Sequence, residues 1–345
     1  MATQILPKRS EVALSIPSAG SLVAGELAMN ITDGKFYTKT TGGVVKEIGG
    51  AGAVTLQAVT TSGATTNNDI TLDGADIIFA TSFGYMEPML KVAKDFPNVK
   101  FEHATGYKRA DNMSTYGLRL YQARHVQGVI AGLMTKTNKI CYVGAYPIPE
   151  VIREINTYYM GAKSVNPKVD IDIIWVNTWY DPSKEADAAN VMMAEGCDMM
   201  AQHTDSPAPL QAAQLEGKLG FGQASDQIKF APKAQLTATI DNWGPYYVKR
   251  VGEVMNGTWA TGDYFGHMND GSVQMAPFTN MPADVAAKAN EIKDAIEAGK
   301  YFAFTGPLKD NKGKVQLKAG EIADDGHLNS MMYYVEGINA QVPGN

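Results

Sequence analysis

Two cysteines in 345 residues are too few for a disulfide scaffold, and both Cys141 and Cys197 sit in apolar, strand-like runs. That context reads as two buried free thiols rather than a bond. Positive charge is also short: 30 Lys and Arg against 36 Asp and Glu give a net charge of -6, and no basic run stands out. Nucleic acid is therefore not an expected partner. No window holds 18 consecutive apolar residues, so no bilayer-spanning helix is expected. The opening MATQILPKRSEVALSIP lacks the apolar core and small-residue cleavage site of a secretory signal, which predicts a cytoplasmic location for the chain as written. The five histidines occur singly, without H-x-x-x-H or C-x-x-C spacing, so no metal site is expected. There is no G-x-S-x-G elbow, no G-x-G-x-x-G after a strand (GFGQAS is wrongly spaced) and no P-loop. No catalytic residue and no cofactor are assigned, and an enzyme is disfavoured.

What is present is a folded composition, 45% apolar and 19% charged, with a break near residue 75. Before it the chain is rich in Ser, Thr, Gly and Val, with Phe36 and Tyr37 as the sole aromatics. GELAMNIT (25–32) and KFYTKT (35–40) flank Asp33-Gly34, a pair that tolerates the positive φ of a tight hairpin. GGVVKEIGG predicts a further short strand. Residues 53–74 have β-propensity but little bulk to bury, which fits a linker or a segment ordered by a neighbour.

After the break, apolar strands alternate with helices: DIIFAT, helix 86–95, VKFEHA, helix 113–134, KICYVGAY, helix 149–164, VDIDIIWVNTW, helix 183–195, CDMMAQHT, helix 207–216, KLGFGQ and QLTATIDNW. Continuous apolar strands separated by helices predict parallel sheets covered on both faces. The tail adds SVQMAPF, helix 282–299, a hairpin turning at Asp310–Gly313, and the aromatic run MMYYVEG, read as core.

In open α/β sheets the ligand crevice lies at the carboxyl ends of the strands. The turns there carry Ser82, Phe83 and Gly84; Trp179 and Asp181; His203 and Asp205; Gln223 and Asp226; and Asp241 and Trp243. These are the candidate ligand-binding residues. Trp179 either stacks on a flat ligand or packs an interlobe hinge. Ser206-Pro207 reads as N-cap and first residue of a helix, which would turn His203, Thr204 and Asp205 into the crevice. Carboxylates such as Asp226 and Asp241 would accept hydrogen bonds from ribose hydroxyls or an exocyclic amine.

Two resemblances follow. SLVAGELAMNITDGKFYTKTTGGVVKEIGG, with TLQAVTTSGATTNNDITLDG after it, resembles a module of bacteriophage tail-fibre and other virion proteins. That module carries no chemistry and builds trimeric fibres. From Asp76 to about Gly337 the chain closely resembles the basic-membrane-protein (BMP) family of ABC-transporter substrate-binding proteins, which includes purine-nucleoside-binding lipoproteins. The likeness rests on DIIFATSFGYMEPMLKVAKDFPNVKFEHATGYKRADNMSTY, YQARHVQGVIAGLMT, KICYVGAYPIPEVIREIN, NTWYDPSKE, QHTDSPAP, FGQASD, DNWGPYYVKRV and TGPLKDNKGKV.

The BMP resemblance implies an α/β, periplasmic-binding-protein-like fold of two lobes with parallel sheets. Here the first lobe would lack its first two β-α units and follow a small β-rich segment, leaving an apolar edge beside residues 77–81. The expected divisions are 1–52, 53–75 and 76–345, the last comprising 76–138 in the first lobe, 139–240 in the second and 241–345 returning to the first. The resemblance also implies a purine nucleoside or nucleobase ligand, an ABC permease as partner, a monomeric state and an envelope location, periplasmic or lipid-anchored. Trp179 would stack on the base, His203 and Asp205 would come from the H-T-D turn, and Ala224 stands where many members have Asp. A virion structural protein carrying an acquired α/β domain is the alternative, and would be trimeric.

Overall fold

The computed structural model describes residues 75–344 and, ahead of them, the backbone of four short strands. These are β1 (Lys8–Ser10), β2 (Leu27–Asn30), β3 (Lys35–Lys39) and β4 (Val45–Gly49), which form one sheet in that order. β2 and β3 make the expected antiparallel hairpin, with Asn30 opposite Lys35, and β4 pairs antiparallel with β3. Residues 53–74 lie outside the described residues. The chain divides into two compact units, Met1–Asp76 and Ile77–Asn345.

The second unit opens with β5 (Ile77–Ala80), a single 3-10 turn, α1 (Met86–Asp95), β6 (Lys100–Ala104) and β7 (Met113–Leu118). It crosses through α2 (Tyr121–Met134) to β8 (Lys139–Gly144), α3 (Pro149–Val165), β9 (Asp170–Trp175), α4 (Pro182–Ala194) and β10 (Met199–His203). Next come α5 (Ala208–Leu215), β11 (Leu219–Gly222), β12 (Gln235–Asp241), α6 (Gly244–Met255) and β13 (Asp263–Gly266). The chain ends with β14 (Val273–Met275), α7 (Ala283–Glu297), the hairpin β15 (Leu308–Lys309) and β16 (Val315–Leu317), and α8 (Asp325–Asn329).

The first-lobe sheet runs β13-β7-β6-β5, all parallel. Among the described residues β5 has a hydrogen-bonded neighbour on one side only. The helix α6 is tied down by buried Glu102, which accepts from Tyr246 Oη at 2.6 Å, Arg250 Nε at 2.6 Å and Trp259 Nε1 at 2.7 Å. A carboxylate with three donors stays in the core at little net cost.

The second-lobe sheet runs β14-β12-β11-β10-β8-β9, parallel except for antiparallel β14. One face carries α2, α3 and α7 with the tail residues Tyr334 and Val335; the other carries α4 and α5. The α2 and α3 backbones nearly touch: a Cβ on Gly128 would lie 2.1 Å from the Tyr158 carbonyl, and one on Gly161 2.2 Å from that of His125.

Several expectations need correction. Helix 113–134 begins only at Tyr121, because the β-branched and aromatic MSTYGL completes the sheet between β6 and β13. The α5 helix starts at Ala208, one residue later than expected, with Pro207 in the capping place; Ser206 Oγ accepts from the Ala208 N–H at 3.2 Å. Cys141 and Cys197 are not free thiols but form a disulfide, their Cα atoms 6.0 Å apart where β8 passes the turn entering β10. Residues 241–345 do not simply return to the first lobe: β13 joins its sheet, then β14 crosses back and pairs with β12. The MMYYVEG run is core as expected, with Met331, Tyr334 and Val335 buried.

Candidate functional site

A cleft lies between the first-lobe strand ends and the start of α3 in the second lobe. The first lobe lines it with Phe83, Thr105, Gly106 and Tyr107 at the ends of β5 and β6, and with Tyr264 and Phe265 of β13. Glu150 and Arg153, from the first turns of α3, line the opposite wall. In the second sheet β8 lies between β9 and β10, which makes this the topological switch point where α/β sheets open a crevice.

A buried charge network stands behind that wall. Arg124 is wholly buried; its Nε donates to Glu154 Oε2 at 3.0 Å, Nη1 to Gln127 Oε1 at 2.6 Å and Nη2 to the Gln202 carbonyl at 2.5 Å. It also bonds Gln223 Oε1. Glu154 Oε2 is 3.2 Å from His203 Nδ1 and accepts from Tyr142 Oη at 3.3 Å. Burial would push the Glu154 carboxyl up, but His203 and Arg124 outweigh it and hold it below the usual range. For His203 burial works downward, and Glu154 beside it raises the imidazole above its ordinary value. Glu150 and Asp241 carry the cost: burial raises Glu150 against the pull of His203 and Arg153, and burial with Glu154 and Glu150 beside it pushes Asp241 up to about 7.

Donors of Glu150, Glu154 and His203 lie within 4.8 Å of one another, a spacing that could hold a cation. Arg124 already neutralises Glu154, so that carboxylate is compensated without one. Left unmatched instead are single atoms: Asp241 Oδ1, Glu154 Oε1, Thr204 Oγ1 and Gln202 Oε1 are buried without a hydrogen-bond partner. Buried acceptors left unpaired in this way can be satisfied by a ligand's donors.

The structure separates the sequence-derived residues into three groups. Phe83 lines the cleft, and Ser82 and Gly84 flank it on the same turn. Trp179, half-buried, packs on Tyr146 and His203 with ring centroids 5.3 and 6.0 Å away, and its carbonyl accepts the Asp205 N–H at 2.8 Å. His203 and Asp241 join the network above; exposed Asp205 stands beside it. Other side chains are already occupied. Asp181 caps α4 by accepting from Lys184 N at 3.2 Å, and Asp226 accepts from Ile228 N and Gln235 Nε2. Gln223 is held by Arg124 and by Thr239 at 3.2 Å. Trp243 belongs to the first-lobe aromatic cluster, edge-on to Tyr116 at 4.9 Å.

Sequence reasoning missed Glu150, Arg153 and Glu154, which share one face of α3. The signal was there: charges at i, i+3 and i+4 in EVIRE fall on one helix face. Arg124 and the 105–107 turn offered no comparable signal.

Two α/β lobes with a cleft between them define a periplasmic-binding-protein-like fold. Solved solute-binding proteins share the fold: one from Aeropyrum pernix K1 superposes with TM-score 0.58 at 17% identity, covering 73% of this chain and 79% of that one. Another, from Conexibacter woesei DSM 14684, gives 0.53 at 20% identity, covering 66% and 78%. The family model for PnrA-like ABC transporter substrate-binding proteins matches residues 30–311, and the chain belongs to that family. A purine-binding protein of Brucella abortus (strain 2308) is 53% identical over 270 residues, 78% of this chain and 77% of the relative. A putative ABC transporter glucose-binding protein of Haloferax volcanii is 36% identical, over 78% of this chain and 66% of that relative. Membership makes the chain the solute-binding component of an ABC transporter, a non-catalytic role at the cell envelope with a small-molecule ligand and a permease as partners. The match starts inside the segment that resembles a virion module, and none of these relatives is a virion protein.

Proposed function

We propose that the cleft binds a purine base or nucleoside for delivery to the permease. The observation carrying this reading is the set of unpartnered buried acceptors, Asp241 Oδ1 and Glu154 Oε1 among them, around His203, on which Trp179 packs. A purine offers what such a site lacks: ring or exocyclic N–H donors for the acceptors and a flat face for an indole. The purine-binding relative at 53% identity supports the same class. In this reading Trp179 and Phe83 contact the ring, while His203, Asp205 and Asp241 face its edge. The capping and loop bonds of Asp181 and Asp226, and the network bonds of Gln223, argue for indirect roles, and Trp243 would act through the first-lobe aromatic cluster. The protein works as a monomer, and the Cys141–Cys197 disulfide fits an oxidising envelope compartment.

Calorimetric titration of the full chain with adenine, hypoxanthine, adenosine, guanosine, inosine and glucose tests this. Saturable heat from at least one purine is expected. Heat from glucose alone, or silence with every purine from a cooperatively folded protein, overturns the reading. Light scattering checks the state; a trimer would revive the virion alternative.

A further inference from the structure

The first-lobe side of the cleft is made of two turns from different strands, and one side chain lies between them. His103 sits at the end of β6, wholly buried, opposite Ala80 in the register with β5. Its Nε2 is 2.9 Å from the Ser82 carbonyl, which also accepts the Tyr85 N–H at 3.1 Å. Burial lowers the imidazole pKa, so the ring is neutral and its bond to a carbonyl requires the hydrogen on Nε2. The other edge of the ring is covered by backbone: a Cβ on Gly106 would fall 1.9 Å from His103 Nδ1. Thr105 before it holds φ at 61°, a left-handed conformation that a threonine adopts only under constraint from its surroundings. The two turns meet again where Phe83 and Tyr107 lie with ring centroids 6.4 Å apart and the Tyr107 N–H reaches Met86 Sδ at 3.5 Å.

We infer that His103 is a positioning residue of the cleft: its ring fastens the β5 turn bearing Phe83 to the β6 turn bearing Gly106 and Tyr107, so that both present one fixed wall to the ligand. The wall's role in purine binding rests on the function proposed above; the coupling of the two turns does not. Such a strut lowers the ordering cost of binding, because the wall is set before the ligand arrives.

Hydrogen–deuterium exchange on the ligand-free full chain, with calorimetry alongside, decides it. Glutamine places an N–H where Nε2 stands, whereas asparagine is too short. His103→Asn should therefore speed exchange at least tenfold in peptides covering both 82–86 and 105–107 and weaken purine affinity at least tenfold. His103→Gln should stay within about threefold of the parent on both measures. Should His103→Asn not fold, Gly106→Ala serves: its Cβ displaces the ring from the far side, and exchange should rise at 82–86. Unchanged exchange at 82–86 in the folded variants, or asparagine behaving like glutamine, overturns the strut. Coupled exchange in a protein that binds no purine would sink the purine reading and keep the strut. Purine binding with uncoupled turns would do the reverse.

Discussion

Asp241 offers the sharpest test of the site's electrostatics. Its carboxyl is pushed up to about 7 by burial and then by Glu154 and Glu150, and its Oδ1 has no partner. A rise from 3.8 to about 7 corresponds to about 4 kcal/mol between the two protonation states. With partial solvent access at this residue, about 2–4 kcal/mol is the range expected in practice. The sign follows from linkage. Between pH 3.8 and about 7 the native state holds a proton that the unfolded chain has lost. Stability is therefore fully present below the unfolded value and falls as pH climbs through the folded one. Asn at this position is neutral throughout, so Asp241→Asn should match the parent near pH 4 and exceed it by about 2–4 kcal/mol at pH 8. Urea denaturation of both proteins at half-unit steps from pH 4 to 8 reads the difference directly. A parent-minus-variant difference that stays flat across that range would refute the claim that Asp241 is held protonated. Ligand binding adds a second readout. If a purine donor reaches Oδ1 and favours the carboxylate, binding near pH 6 should release protons in the parent and not in Asp241→Asn. Calorimetry in buffers of different ionisation enthalpy would detect this.

Replacing Cys141 and Cys197 together by Ala should cost about 4 kcal/mol, the loop-closure entropy of a 56-residue separation; equal urea midpoints with and without reductant would show that the thiols are unpaired. Trp179→Ala should weaken purine affinity by about 1–3 kcal/mol with little change in fold, and an unchanged affinity by calorimetry would remove the indole from the site. Glu154→Gln leaves Arg124 buried beside a neutral partner and should destabilise by about 3 kcal/mol in urea. The same change should lower the His203 pKa by NMR titration, since Glu154 is what holds it up.

Local sequence settled a good deal about this protein. Continuous apolar strands alternating with helices determined a parallel α/β body, and α1 and α3 fall almost where the pattern put them, because helix periodicity and strand runs are properties of neighbouring residues. The polar strand-end turns marked one side of the sheets as the place for a ligand, for the same local reason. MSTYGL was misread as helix because its strand character rests on pairing with residues of β6 and with β13, some 148 positions later. Tertiary structure alone determined that Gln223 and Asp226 are engaged elsewhere: both look like binding groups in sequence, and folding brings Arg124 to Gln223 and Gln235 to Asp226. The same holds for the Cys141–Cys197 bond and the crossing back of β14. Each depends on the approach of segments far apart in the chain, and burial then decides whether a cysteine pairs or a carboxyl keeps its proton.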